Sequence, residues 1–218
     1  LQNGKSVQDD FLADRFSDYL EKHYKHLHFP HRHSFYHIVL FTKGSGEHSI
    51  DFLTYPVKPL QLYCMIPGQV HGWHFEEATD GYIINFSDRF FKSFLLNPHY
   101  LEKFSFFSGI GSEGVINIPA ASKSGIIALF ESIINTKKHP SPQGMDKLKV
   151  LMLQLFMTLE EKMPALPGGS VATAKMLVFK NFRKLIEQHY KSIRLPKQYA
   201  ELLYVTPNHL NALCQDLV

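Results

Sequence analysis

Cysteines and long apolar runs are both scarce in this sequence. Its 218 residues contain two cysteines, Cys64 and Cys214, which lie too far apart to form a local disulfide framework. Such sparse cysteine usage favours a reducing compartment. No stretch approaches the roughly 18 continuous apolar residues of a transmembrane helix, and the N-terminus lacks the apolar core of a secretory signal. We therefore expect a cytoplasmic protein with no membrane partner.

A strong charge of one sign is also lacking, because the net charge of the whole chain is only +3. Its distribution is uneven, however. Residues 173–218 contain seven lysines and arginines against three acidic residues, a net charge of +4, which leaves −1 for residues 1–172. A basic C-terminal segment is typical of a domain that meets a polyanionic partner.

The region from residue 34 to residue 86 is typical of β-structure. Short runs rich in aromatic and β-branched residues alternate there with turns that contain glycine or proline. They predict strands over residues 34–42, 47–53, 60–66, 70–75 and 81–86, and a further strand over 115–118. The two prolines in residues 55–59 predict a break after the second strand. Residues 9–27 have no clean period, and a strand followed by a short helix is one interpretation of them.

After Pro119 the apolar residues recur three and four positions apart, which indicates helices. Residues 121–137 and 145–163 are predicted to form an antiparallel hairpin. One helix face is expected to cover the β-structure, and the second helix is expected to form a dimer interface. The prolines and glycines of residues 163–170 predict a linker, because they cannot continue a helix.

Four histidines form the main candidate for a ligand site. His31, His33 and His37 have the same parity, so an extended chain directs their side chains to one face, together with Phe35. His71 follows a Pro-Gly turn, and a barrel could bring it beside the other three. Convergent imidazoles can bind Zn, Fe, Ni or Cu. Neutral histidines can also hydrogen-bond a polar small molecule in an apolar pocket, or have only a structural role.

Aromatic side chains near these histidines are candidates for the same pocket. Phe35, Trp73 and Tyr82 could stack on a sugar or an aromatic ring, and they equally suit a core. We expect a small-molecule effector, such as a sugar or a related metabolite, as the ligand. No cofactor and no metal are expected; if a metal does bind, its ligands are the four histidines.

Two short helices joined by a turn are predicted at the end of the sequence. They cover residues 197–204 and 208–217. Pro196 and Pro207 suit first helical turns, where the missing N–H costs nothing, and Thr206 suits the N-cap of the second helix. This arrangement predicts a helix-turn-helix, although a plain helical hairpin with a polar surface gives the same pattern.

The second of these helices has a polar face that fits the major groove of DNA. That face carries Asn208, Asn211, Ala212 and Gln215. Asparagine and glutamine can read adenine through two hydrogen bonds. Arg194 and Lys197 lie where backbone phosphates would be met, which positions a protein on DNA without specifying the sequence.

The histidine pattern resembles the two cupin motifs. The resemblance rests on His-x-His at residues 31–33, on His37, on Gly44 and on Pro-Gly-x-x-His at residues 67–71. It covers about residues 28–87 and implies a cupin-like barrel, that is, a double-stranded β-helix or jelly roll. In metal-binding cupins the position of His37 is usually glutamate, and this departure weakens the match to the metal enzymes.

Residues 199–214 resemble the first helix-turn-helix of AraC/XylS-type transcription regulators. Those proteins join a cupin-like effector domain, two helices and a linker to a DNA-binding domain, in the order found here. The resemblance implies a homodimeric regulator that binds double-stranded DNA under control of a small effector, with Asn208, Asn211 and Ala212 facing the bases. Ala212 stands where the family often has arginine and Cys214 where it often has phenylalanine, so the base preference does not transfer.

The sequence therefore predicts an α+β protein. Residues 1–119 are expected to form the cupin-like effector domain, 120–163 the helical hairpin, 164–172 the linker, and 173–218 the first part of an AraC-type DNA-binding domain, whose second helix-turn-helix the sequence does not reach. No enzymatic activity is expected. The alternatives are a metal-dependent cupin enzyme, such as a dioxygenase or isomerase, and a non-enzymatic metabolite-binding module. The basic helical tail and the lack of a clear general acid or base beside the histidines count against the enzyme.

Overall fold

The computed structural model describes residues 10–23, 29–92, 94–163 and 169–217. The chain divides into two compact units, residues 1–163 and 164–218. The first unit is rich in β-sheet and the second is helical, which confirms the predicted α+β class. No helix among the described residues is both long and apolar enough to cross a bilayer.

In the described part of the first unit the strands form two antiparallel sheets. The strands are β1 (Phe11–Arg15), β2 (His31–Arg32), β3 (Tyr36–Lys43), β4 (Gly46–Ile50), β5 (Leu53–Val57), β6 (Gln61–Met65), β7 (Val70–Phe75), β8 (Asp80–Phe86) and β9 (Val115–Asn117). The five-stranded sheet has the order β1-β8-β3-β6-β9, and the four-stranded sheet has the order β2-β7-β4-β5. Most neighbours in sequence lie in opposite sheets; β4 and β5 share the four-stranded sheet, and β8 and β9 share the five-stranded sheet.

Two segments differ from the sequence expectation. The predicted break over residues 55–59 is wrong at its start, because residues 53–57 form β5. Pro56 is tolerated there because β5 is an edge strand, where a missing N–H faces no partner strand. The predicted strand over 47–53 is instead a hairpin, in which Asp51 takes a positive φ of 51° at the turn between β4 and β5.

The segment left open over residues 9–27 forms β1 and then α1 (Phe16–His23), and residues 24–28 lie outside the described part. β1 pairs with β8 at the edge of the five-stranded sheet. Arg15 at its end forms an ion pair with Asp80 of β8. These contacts fix the start of the described chain to the sheet.

An inner core fills the space between the two sheets. Because side chains alternate along a strand, every second residue of each sheet points into it. Its buried members are Phe16, Tyr19, Val39, Phe41, Ile50, Val57, Tyr63, Met65, Trp73 and Ile83. Trp73 has ring contacts with Phe16, Phe41 and Tyr63 from three other elements. The inner core therefore ties both sheets to α1.

An outer core covers the opposite face of the five-stranded sheet. Three helices take part: α2 (Arg89–Lys92), α3 (Lys123–Lys138) and α4 (Gly144–Glu160). Ile38, Leu40 and Ile84 of the sheet pack in one cluster with Phe130 of α3 and Phe156 of α4. The helical hairpin expected over residues 121–163 thus covers the sheet.

The second unit contains α5 (Gly169–His189), α6 (Pro196–Leu202) and α7 (Pro207–Leu217). α5 begins at residue 169 rather than 173, so the helix overlaps the predicted linker; residues 164–168 of that linker lie outside the described part. The first amides of a helix donate no intrahelical hydrogen bonds. Residues of low helix propensity are therefore tolerated at its start. Tyr199, Ala200 and Leu210 form the buried centre of this unit.

Tyr204 lies in the turn between α6 and α7 with a positive φ of 56° and an almost fully exposed side chain. A left-handed backbone is unfavourable for residues with a Cβ atom by about 1–2 kcal/mol. We therefore expect the free energy of unfolding of Tyr204→Gly to be about 1 kcal/mol higher than that of Tyr204→Ala. Both variants lose the aromatic ring, so their difference in urea unfolding isolates the backbone. Equal stabilities would show that the turn is unstrained.

Candidate functional site

The structure brings the four predicted histidines together at one end of the space between the sheets. His31 of β2 lies opposite His71 of β7 in the strand register. The ring centroids of His31 and His71 are 4.3 Å apart, and that of His33 lies 4.8 Å from His31 and 4.9 Å from His71. These three rings therefore form a compact triangle.

His37 joins this triangle from the five-stranded sheet. Its ring centroid lies 5.3 Å from that of His33 and 5.2 Å from that of His71. Its Nδ1–H donates a 2.7 Å hydrogen bond to Oδ1 of Asn85 on β8, which leaves Nε2 with the ring's lone pair. The cluster thus bridges the two sheets. Asn85 was not among the predicted site residues.

His48 of β4 is a fifth histidine that the sequence analysis missed. It is fully buried, its ring stacks on Trp73 with centroids 3.4 Å apart, and it lies 5.7 Å from His71. The signal was present in the sequence: His48 has the parity of Ile50, whose side chain belongs to the inner core. We name His31, His33, His37, His48 and His71 the histidine cluster.

The histidine cluster contains buried polar atoms that have no hydrogen-bond partner among the described residues. They are Nε2 of His31, His33 and His37 and both ring nitrogens of His48 and His71. Each unsatisfied buried polar group costs about 1–3 kcal/mol. Most such groups in folded proteins have a partner. Their concentration at one place therefore indicates a site that bonds to a ligand.

Burial lowers the pKa values of four of the five imidazoles of the cluster. Desolvation, followed by the nearby His31, lowers the pKa of His33 to about 4. Desolvation and then His33 lower the pKa of His37 to about 3. The pKa values of His48 and His71 are also lowered by burial and by neighbouring histidines. At neutral pH these rings offer lone pairs rather than positive charge.

Two of the three predicted aromatic residues lie beside the cluster. Phe35 stacks on His33 with ring centroids 4.4 Å apart and an angle of 14° between the planes. Trp73 stacks on His48 and is at the same time part of the inner core. Both expectations, a stacking surface and a core residue, fit Trp73.

Tyr82 does not belong to this site, which corrects the prediction. Along β8 the side chains alternate, so Ile83 and Asn85 face the inner side while Tyr82 faces the helices. Its hydroxyl donates a 2.5 Å hydrogen bond to Glu131, and its ring lies 5.4 Å from that of Phe130 on α3. Strand parity alone separates Tyr82 from the histidines.

The predicted DNA-binding residues of the second unit all lie on its surface. Asn208, Asn211, Ala212 and Gln215 are exposed on α7. They lie on the side opposite Leu210 and Leu213, which are buried. Arg194 and Lys197 are exposed immediately before and at the start of α6. The N-cap of α7 forms as expected, because Oγ1 of Thr206 accepts the backbone N–H of His209 at 3.1 Å.

Residues 17–155 match the family model of the AraC-like ligand binding domain. The chain belongs to this family. The matched span contains every described strand except β1, together with the histidine cluster and most of the helical hairpin. The resemblance to AraC-type regulators, with an effector-binding N-terminal domain, is thereby confirmed. No curated protein matches the chain significantly.

Several solved structures are similar to this AraC-like chain at low identity. ToxT from Vibrio cholerae O395 is 12% identical, with 95% of this chain and 74% of that chain covered and a TM-score of 0.46. ToxT from strain SCE256 with a bound unsaturated fatty acid is 10% identical, with 98% and 75% covered and a TM-score of 0.44. The AraC-like transcriptional activator CuxR is 12% identical, with 84% and 61% covered and a TM-score of 0.33. A likeness at this level assigns no ligand to the chain.

Proposed function

We propose that this protein is a transcription regulator that binds double-stranded DNA through its second unit, under the control of an effector bound in its first unit. The observation that carries the proposal is the presence, in one chain, of an AraC-like ligand-binding domain and a pair of short helices with an exposed polar face. The facing sheets support a cupin-like barrel, and α6, the turn and α7 support a helix-turn-helix. Family membership favours this role over the cupin enzyme considered above.

The histidine cluster is the effector site in this proposal. It offers ring nitrogens that have no hydrogen-bond partner among the described residues, beside the aromatic faces of Phe35 and Trp73. Ligand sites commonly combine an apolar wall with a few convergent polar groups. The effector changes DNA binding only if it binds the two states of the regulator with different affinities.

The exposed face of α7 is the DNA-reading surface in this proposal. Its four residues, Asn208, Asn211, Ala212 and Gln215, recur at helical spacing and leave the buried face to leucines. Arg194 and Lys197 supply positive charge close to the start of α6, where phosphates would be met. The domain limits predicted from the sequence, with DNA binding in residues 173–218, belong to the same proposal.

Dimerisation through α4 is part of the proposal. α4 buries one face in the outer core, yet it exposes the apolar side chains of Val150 (54%) and Met157 (44%). Both lie on the side that the sheet does not cover. A homodimer would place two DNA-reading helices on repeated half-sites.

The DNA-reading surface can be tested by single substitutions. Asn211→Ala is expected to weaken binding to a selected DNA duplex by about tenfold and to leave binding to a scrambled duplex unchanged, because a base contact carries specificity. Arg194→Ala is expected to weaken binding to both duplexes. It should also reduce the salt dependence of the affinity by the amount that corresponds to about one phosphate contact. Fluorescence anisotropy against salt concentration measures both effects.

The matched control for these variants is Asn135→Ala. Asn135 is an exposed asparagine on a helix of the first unit, α3, so the same substitution is made away from the proposed DNA surface. Its affinity for both duplexes should equal that of the unmodified protein. An Asn211→Ala protein that binds the selected duplex as tightly as this control would remove α7 from the proposed interface.

A further inference from the structure

We propose that the histidine cluster binds a divalent late transition metal ion, such as Zn²⁺, Ni²⁺ or Co²⁺, through His31, His33 and His71, with His37 as a fourth ligand. Metal binding itself follows from the geometry of the first unit. The statement that this metal is the effector rests on the proposed function.

The spacing of three ligand nitrogens carries the proposal. One ring nitrogen from each of His31, His33 and His71 lies within 4.8 Å of the other two. Tetrahedral zinc with metal–nitrogen bonds of about 2.1 Å requires nitrogens about 3.4 Å apart. His71 is buried in β7, whereas His31 and His33 are half-buried. Small rotations of the two less constrained side chains bring the three nitrogens to bonding distance.

The hydrogen bonds of two histidines leave the same nitrogen for a metal. The Nδ1–H of His31 donates to the carbonyl oxygen of Phe29 at 2.8 Å, and the Nδ1–H of His37 donates to Asn85. In both residues Nε2 is buried and has no partner among the described residues. Metal-bound histidines usually donate their other ring N–H in this way, which fixes the tautomer and the orientation of the ring.

The chemistry of the donor set selects the class of metal. The four proposed ligands are all imidazoles, which suit Zn²⁺, Ni²⁺, Co²⁺ and Cu²⁺. Mg²⁺ and Ca²⁺ require oxygen ligands and are excluded from this set. The ring centroids lie only 4.3–5.3 Å apart, a close grouping that suits the ligands of one ion.

The position of the ligands gives the metal a mechanical role. His31 and His71 belong to paired strands of the four-stranded sheet, and His37 belongs to the five-stranded sheet. A metal bound to all of them connects the two sheets at a single point. It also holds the short β2 segment in place, which is paired to β7 through two residue pairs.

A metal titration of the untagged, chelator-treated protein tests the site. We expect one equivalent of Zn²⁺ or Co²⁺ per chain by calorimetry and elemental analysis, a visible absorption band of four-coordinate Co²⁺, a raised melting temperature, and no response to Mg²⁺. His71→Ala and His31→Ala should each lose at least tenfold in Zn²⁺ affinity. Substoichiometric Zn²⁺ binding to the unmodified protein would overturn the proposal.

Two further variants keep this test decisive. His74 lies on β7 as His71 does but is exposed, so His74→Ala should bind Zn²⁺ as the unmodified protein does. His31 is half-buried at the start of its strand, so His31→Ala keeps its fold even where His71→Ala does not; circular dichroism checks this. Unchanged Zn²⁺ affinity in folded His31→Ala would contradict the site. The titration needs no DNA, so its failure is distinct from a failure of DNA binding.

Discussion

Phe156→Ala is expected to lower the free energy of unfolding of the first unit by about 3–5 kcal/mol, the usual cost of deleting a buried aromatic ring. Phe156 is fully buried on α4. Its ring centroid lies within 6.2 Å of five other aromatic rings: Phe86, Phe91, Phe104, Phe106 and Phe107. Phe86 belongs to β8 and Phe91 to α2, while Phe106 and Phe107 belong to a short 3₁₀ helix (Ser105–Phe107) that Phe104 precedes. One side chain therefore joins the sheet to the helices that cover it.

Urea unfolding of the first unit measures this effect. Phe52→Ala is the matched control, because it makes the same substitution at a phenylalanine that is 85% exposed in the turn between β4 and β5. It should change the free energy of unfolding by less than about 1 kcal/mol. Similar losses in the two variants would show that α4 packs on the sheet with a different face.

Acidification from pH 7 to pH 4 is expected to destabilise the metal-free protein by several kcal/mol. The folded pKa values of His33, about 4, and His37, about 3, lie below the unfolded value of 6.5. Between pH 6.5 and these values the unfolded state binds more protons than the folded state. The stabilisation from keeping the rings neutral is therefore complete above pH 6.5. It declines on acidification by up to about 1.4 kcal/mol per pH unit for the fully buried His37, and by less for His33, which is partly exposed and therefore screened by solvent.

Equilibrium unfolding at a series of pH values measures this slope. His37→Gln removes one of the titrating groups. It should reduce the slope of the free energy of unfolding against pH by the contribution of one proton, whatever its effect on stability at pH 7. His74→Gln makes the same substitution at an exposed histidine on β7 and is the matched control. A slope in His37→Gln equal to that of the unmodified protein would mean that His37 is already protonated in the folded state.

Strand parity and helical spacing predicted much of this fold and site from the sequence alone. The helical hairpin follows directly from apolar spacing, and most strands follow from short runs between turns. Parity placed His31, His33 and His37 on one face, and all three lie in the cluster. The exposed face of α7 follows from the same periodicity, because the buried leucines alternate with the polar residues.

Other features of the site depend on pairing between distant residues and could not be predicted from the sequence. His31 and His37 were expected on one extended strand, yet they lie in opposite sheets, and the cluster closes across the space between them. Asn85 is 48 residues from His37 in the sequence and orients its ring only because β3 pairs with β8. Its parity with Ile50 could have predicted that His48 is buried. The strand predicted over residues 47–53, however, did not include the turn at Asp51.

Binding of the protein to the DNA upstream of its own gene, with random DNA as the comparison, tests the central claim most directly. The account predicts an affinity at moderate salt at least about 10³-fold higher for the upstream DNA, the usual margin of a specific regulator. It also predicts that this affinity changes when Zn²⁺ is added or removed. Equal, weak binding to both DNAs that salt abolishes would contradict it and would reduce α6 and α7 to a basic helical surface.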